Sequence, residues 1–231
     1  MRSQLLFATV LAASLACSGL PQLPPAPDFD GWSSEDLEAR LEADGWAVRR
    51  CSEDVSREFS FIDCVGRREG HVVVAGLATY ESTRDARWAD DEPVEGLVSA
   101  RDGRAVLQIE VHLPKEAHAL ADAAHELDAV DRASVEDVLS TAGFAIEECF
   151  AERGRDGTYA ACLGRDGERW AMLSVSRFRG GPGGRGGWER SMEAGIVYHE
   201  RGPYEVEADI QHQGHARALL DGMTQPTADT P

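Results

Sequence analysis

The residues of this 231-residue chain whose types and spacing could do chemistry are its five cysteines, its seven histidines and a glycine-rich run. Cys51 and Cys64 have twelve residues between them, and the same pair recurs 98 positions later as Cys149 and Cys162. That spacing is too wide for a CxxC redox centre, so the chemistry it suits is a structural disulfide. Four cysteines allow three pairings. The pairing 51–64 with 149–162 is preferred because both stretches then close alike, and Cys17 is left over.

His199, Asp209, His212 and His215 could gather a metal near the end of the chain. His118, Asp122 and His125 would share one helical face. Neither set carries a ligand signature such as HExxH, so no metal and no cofactor is expected. Gly181-x-Gly183-x-x-Gly186 has the letters of a dinucleotide fingerprint, which works where a strand feeds a helix whose N–H groups meet phosphate. Here it falls between antiparallel strands, with no βαβ unit, and reads as a glycine-rich loop. The run Asp90-Asp91-Glu92 lacks the spaced ligands and the glycine of an EF-hand. A GxSxG elbow and a phosphate loop are absent from the sequence, so no catalytic residue is assigned. Trp88 and Trp188 lie in polar loops that differ between the two cysteine-bearing stretches, and they are the candidate recognition anchors.

The first residues have the form of an export signal. Arg2 gives the positive start and Leu5 to Ala16 the apolar run, which is too short to span a bilayer. Ser14-Leu15-Ala16-Cys17 resembles the lipobox of bacterial lipoproteins, although that family favours leucine three places before the cysteine and a small residue two before. The resemblance implies that Cys17 is lipidated and becomes the new N-terminus, which would use up the odd cysteine. Ser14-x-Ala16 also suits ordinary signal peptidase cleavage. Residues 17–32 carry Pro21, Pro24, Pro25 and Pro27 and read as a tether. The expected location is a bacterial cell envelope, anchored through lipid and facing the periplasm or the exterior.

Composition narrows the partners. The formal charge is −18 and the sole lysine is Lys115. So acidic a molecule repels polyanions, and nucleic acid is excluded as a partner. A hydrophobic share of 42% is enough for a folded core.

The elements that must position these residues come in two sets. Gly45-Trp46-Ala47-Val48 answers Gly143-Phe144-Ala145-Ile146, and Cys64-Val65-Gly66-Arg67 answers Cys162-Leu163-Gly164-Arg165. The chain reads as a tandem duplication of residues 33–130 and 131–223, followed by a disordered tail, 224–231. Ser33 or Ser34 offers an N-cap, Leu37 and Leu41 a helical face, and Gly45 a stop. Strands follow, with Val72 to Tyr80 apolar on both faces. Leu107, Ile109 and Val111 alternate, and Val206, Ala208 and Ile210 alternate likewise. Ala117, Leu120, Ala121, Ala124 and Leu127 form a last apolar stripe, and Ala216, Leu219, Leu220 and Met223 a shorter one.

Each copy is therefore expected to be an α+β unit of helix, antiparallel five-strand meander and helix, the two related by a pseudo-two-fold as two lobes or one sheet. Arg49-Arg50 stand where the second copy has Glu147-Glu148, which predicts that these strands face each other across the axis. In outline this looks like the tandem-repeat β-lactamase inhibitory proteins, which implies that such an architecture can serve protein binding. The expected function is a tethered macromolecular binding or structural module of the envelope. The alternative is an exported metal-dependent or hydrolytic enzyme using the histidines.

Overall fold

A computed structural model describes residues 29–56, 59–91, 96–179 and 193–224. The leader, Cys17, the Gly181 motif, Trp188 and the tail from residue 225 lie outside the described residues. The first helix, α1 (Ser34–Ala43), starts where local chemistry demands. Ser33 Oγ accepts from the Asp36 N–H while the Asp36 carboxylate accepts from the Ser33 N–H at 2.8 Å, a reciprocal capping box. These bonds hold the Asp36 carboxyl below its usual range. The chain then reverses at Gly45, in the left-handed region at φ 86°, and enters β1 (Ala47–Val55). After β2 (Phe59–Arg68) and β3 (His71–Tyr80) comes α2 (Thr83–Asp91), then β4 (Val98–Asp102), β5 (Ala105–His112) and α3 (Pro114–His125). A second series follows: α4 (Arg132–Thr141), capped by Asp131, β6 (Ala145–Arg153), β7 (Gly157–Asp166), β8 (Arg169–Phe178), β9 (Val197–Arg201), β10 (Tyr204–His212) and α5 (Gln213–Thr224).

Mixed helix and antiparallel sheet make the fold α+β, as expected, and the strands form one continuous sheet rather than two lobes. Its ten described strands run β1-β2-β3-β5-β10-β8-β7-β6, with β4 on the free part of β5 and β9 on the free part of β10. The five-strand meander is thus corrected. β5 lies between β3 and β4, because the connection carrying α2 is long enough to pass over one strand position. β5 and β10 meet at His112↔Gln211, and Leu113 N–H donates to Ile210 O at 2.7 Å just beyond. The facing of Arg49-Arg50 and Glu147-Glu148 is also corrected, since β1 and β6 are the two outer strands of the sheet.

Helices α1, α3, α4 and α5 cover one face of the sheet, and they do so crosswise. Under α1 lie Ile62, Cys64, Val73, Leu77, Leu107 and Ile109, and the helix that completes this core is α5, through Ala216, Leu219, Leu220 and Met223. Under α4 lie Cys162, Leu173, Val175, Val206 and Ile210, and here α3 completes the core through Ala117, Leu120, Ala121 and Ala124. Each late helix of a series therefore packs on the strands of the other series.

Residues 84–91 of the polar stretch read as a loop belong to α2 instead. Ser82 Oγ accepts from the Asp85 N–H at 3.2 Å, and Ala86 is fully buried. Asp90 accepts from Ser99 Oγ at 2.8 Å on the face opposite the helical layer, so α2 covers β3 to β5 from that side. Residues 29–32, read as tether, are packed as well. Phe29 is fully buried edge-on to Trp32, and its N–H donates to Asp102.

Candidate functional site

Strand alternation sets up the open face. On β6, β7, β8 and β10 the residues between core positions point away from the helices, and among them are Phe150, Tyr159, Ala161, Leu163, Trp170 and Met172. Phe150 is 53% exposed and Met172 36%. The Phe150 and Tyr159 rings lie 6.1 Å apart, tilted at 52°. Phe150, Ala161, Leu163, Trp170 and Met172 floor a cavity of about 410 Å³ that ends against Glu148 on one side and Asp209 and Gln211 on the other. Acidic side chains rim the apolar strip: Glu148 and Glu152 on β6, and Glu205, Glu207 and Asp209 along β10.

The β10 acids are not all solvated. Glu205 is 6% exposed, and its Oε1 has no hydrogen-bond partner among the described residues. Burial first, and the Asp209 charge second, push the Glu207 carboxyl up from its usual range. Tyr198, on the neighbouring strand, is pushed up by burial and by the Glu205 carboxylate. The arrangement offers an apolar platform beside desolvated negative charge, which favours a partner bringing positive charge.

At the end of this strip lies a charged network at the β5–β10 seam. His112 is 1% exposed, and its Nδ1 is 2.7 Å from Asp209 Oδ1. Its Nε2 is 3.1 Å from Glu110 Oε2, an ionic contact without hydrogen-bond alignment. Gln211 Nε2 donates to Asp209 Oδ2 at 2.8 Å and to Glu110 Oε2 at 3.3 Å. Burial alone would lower the imidazole pKa, but the two carboxylates outweigh it and raise it to about 9. His112 is therefore an imidazolium at neutral pH. Gly195, at φ 95°, closes over it, where a Cβ would lie 2.9 Å from His112 Cβ. Among the described residues the polar partners of His112 are Asp209 and Glu110, and the network reads as a structural joint.

The predicted metal set is dispersed. Asp209 belongs to the seam. His212 and His215 stack at 3.7 Å, with His71 5.6 Å from His215. His199 joins the other predicted set instead: its Nε2 lies 3.2 Å from His118 Nδ1, its Nδ1 3.5 Å from Asp122, and His125 stacks on it at 5.3 Å. Among the described residues no three His, Cys, Asp or Glu side chains converge on a metal position. Of the recognition candidates, Trp88 sits on α2 with its side chain outside the described ones, and Trp188 and Cys17 lie outside altogether. Both disulfides, Cys51–Cys64 and Cys149–Cys162, are formed, with Cα atoms 4.1 Å apart in each.

Sequence reasoning missed the open apolar strip and the His112 joint. The signal was present in the alternation, since placing Leu107, Ile109 and Val111 in the core places Glu110 and His112 on the other face. Comparison with protein-family models, with curated proteins and with solved structures finds no match to this chain.

Proposed function

We propose that this protein is an exported, lipid-tethered binding module of a bacterial envelope, built as a duplicated α+β domain, that holds a cationic, partly apolar polypeptide on the open sheet face of β6, β7, β8 and β10. One observation carries the binding reading: a strip with Phe150 and Met172 exposed runs beside carboxylates, on a face that the four core-forming helices leave open. A contiguous apolar patch rimmed by polar groups is a common mark of an interaction surface. The formal charge of −18 would steer a cationic partner toward it.

Support for duplication comes from like features at like places. Register shifts occur at Val48/Arg50 and at Ile146/Glu148, each beside a disulfide, and the seam pairs His112 with Gln211, which correspond in the two series. Two disulfides favour an oxidising compartment. The lipid anchor rests on Ser14 to Cys17 and on the odd cysteine count. The enzyme alternative has His118, His125 and His199 side by side, but no three ligands that converge on a metal position among the described residues.

The test is titration of the chain, carrying Cys17→Ser, with a synthetic amphipathic peptide of alternating leucine and lysine, read by tryptophan fluorescence. Saturable binding is expected, lost in Phe150→Glu and kept in Phe59→Glu at unchanged melting temperature. Equal binding of a leucine–glutamate peptide would overturn the reading. Mass spectrometry of the mature N-terminus of the wild type tests the anchor, and an unmodified Cys17 would refute it.

A further inference from the structure

A second concave site lies at the ends of β2 and β3, where the local charge runs against that of the molecule. The chain carries 41 acidic and 23 basic residues, yet the cavity of about 360 Å³ bordered by Arg49, Arg67, Arg68, His71 and His118 has Glu69 as its acidic lining residue among the described ones. Arg68 is already engaged, donating to Asp44 O at 2.6 Å and to Asp44 Oδ2 at 3.0 Å while lying over the Trp46 ring. Arg49 and Arg67 have no hydrogen bond or ion pair among the described residues. Arg49 is the extra residue of the β1 bulge, a position that re-aims a side chain off the ladder. The first turn of α3 borders the same cavity at Pro114, and its N-cap Leu113 supplies no side-chain cap. The positive end of that helix adds to the field.

Positions 98 further on provide a contrast. There Arg49 is replaced by Glu147, Arg165 donates to Gly167 O at 2.8 Å and lies over Trp170, and Arg169 is bound by Glu116 and Asp166. The same corner of the sheet is self-neutralised in one series and left cationic in the other.

We propose that the cavity of Arg49, Arg67, His71 and His118 binds a doubly charged oxyanion of the phosphate monoester class, with Arg49 and Arg67 as its principal donors. A planar guanidinium fork matches a phosphate with two parallel hydrogen bonds. Two guanidinium groups without a partner among the described residues suit a dianion, whereas a monocarboxylate is satisfied by one. This site is separate from the apolar strip and does not depend on it.

The experiment uses the full chain carrying Cys17→Ser, at low ionic strength so that screening is weak. Glycerol phosphate, a soluble monoester, is titrated calorimetrically beside acetate, and vesicles of phosphatidylcholine with or without phosphatidic acid are pelleted with the protein. Saturable one-to-one binding of the phosphate ester is expected, with acetate silent. Arg49→Gln and Arg67→Gln should each weaken binding about tenfold or more, the loss of one charge-assisted bond, while Arg165→Gln leaves it unchanged and all three variants melt like the parent. Pelleting that requires phosphatidic acid and is competed by the soluble ester identifies a lipid headgroup as the source. Calorimetric binding without pelleting identifies a soluble ester. Absence of saturable binding in both arms, or binding indifferent to Arg49→Gln and Arg67→Gln, overturns the proposal.

Discussion

His112 concentrates the electrostatics of the fold in one side chain. Its folded pKa, about 9, lies above the ordinary 6.5, so its stabilising contribution is complete below 6.5 and is lost as pH rises through 9. The unfolding free energy should fall between pH 6.5 and 9.5 by on the order of 3 kcal/mol, the equivalent of the shift. Other shifted groups act outside that window. His215, held low by burial and then by the charges of His212 and His71, acts below 6.5. Tyr80 and Tyr198, pushed up mainly by burial, act once unfolded tyrosine ionises, above about 10. His112→Gln should remove the slope and cost about 3 kcal/mol or more at neutral pH, because Asp209 and Glu110 lose their counter-charge. Urea unfolding of both proteins across the window checks this, and a slope that survives in the variant would locate its origin elsewhere. Alternation could show which face His112 occupies. It could not show that Asp209, 97 residues away, shares that face at the same seam, because a long-range strand pairing leaves no local mark.

Among the elements, α5 and α3 show most clearly what apolar stripes convey. The stripe of Leu219, Leu220 and Met223 shows that one side of α5 is buried, and it is. It does not say which sheet lies beneath. Leu220 is 4% exposed against the core of β3 to β5, so Leu220→Ala should cost about 3 kcal/mol. Hydrogen exchange should then quicken in β4 and β5 before β6 and β7, although α5 follows β10 in the chain. The opposite order would mean that α5 is coupled chiefly to its own series. The outer strands give a second expectation. Among the described strands β6 pairs with β7 alone, and Cys149–Cys162 ties it there. Replacing both cysteines by serine should cost about 3 kcal/mol, the value for a loop of this length, and should speed exchange in β6 first. These pairs were legible from spacing because a hairpin is local. Helix α2 was missed because its face is nearly all polar, yet Ser82-Thr83-Arg84-Asp85 carries a capping signal that alternation arguments overlook.

For the molecule as a whole, the crossed helices decide what can fold alone. Residues 29–130 hold α1 and β1 to β5, but the helix that finishes their core, α5, belongs to 131–224. Residues 131–224 in turn lack α3, whose Leu120 and Ala121 seal the core under α4. Each fragment alone would expose half a core and the free seam edge of β5 or β10, a template for aggregation. Mixed, the two fragments recover both helices, the His112–Asp209 contact and the β5–β10 pairing. Each fragment should therefore lack a cooperative thermal transition, and an equimolar mixture should form a one-to-one complex with the parent's near-ultraviolet spectrum. Both fragments are acidic, so moderate salt should speed association by screening their repulsion. If 29–130 melts cooperatively by itself, α3 has folded back onto β4 and β5 in place of α5, as an exchanged element does when it closes on its own protomer. Sedimentation and circular dichroism of the separate fragments distinguish the two cases. The crossed arrangement requires that Leu120→Asp in 29–130 abolish complex formation, whereas a folded-back helix would make that variant unfold the isolated fragment instead.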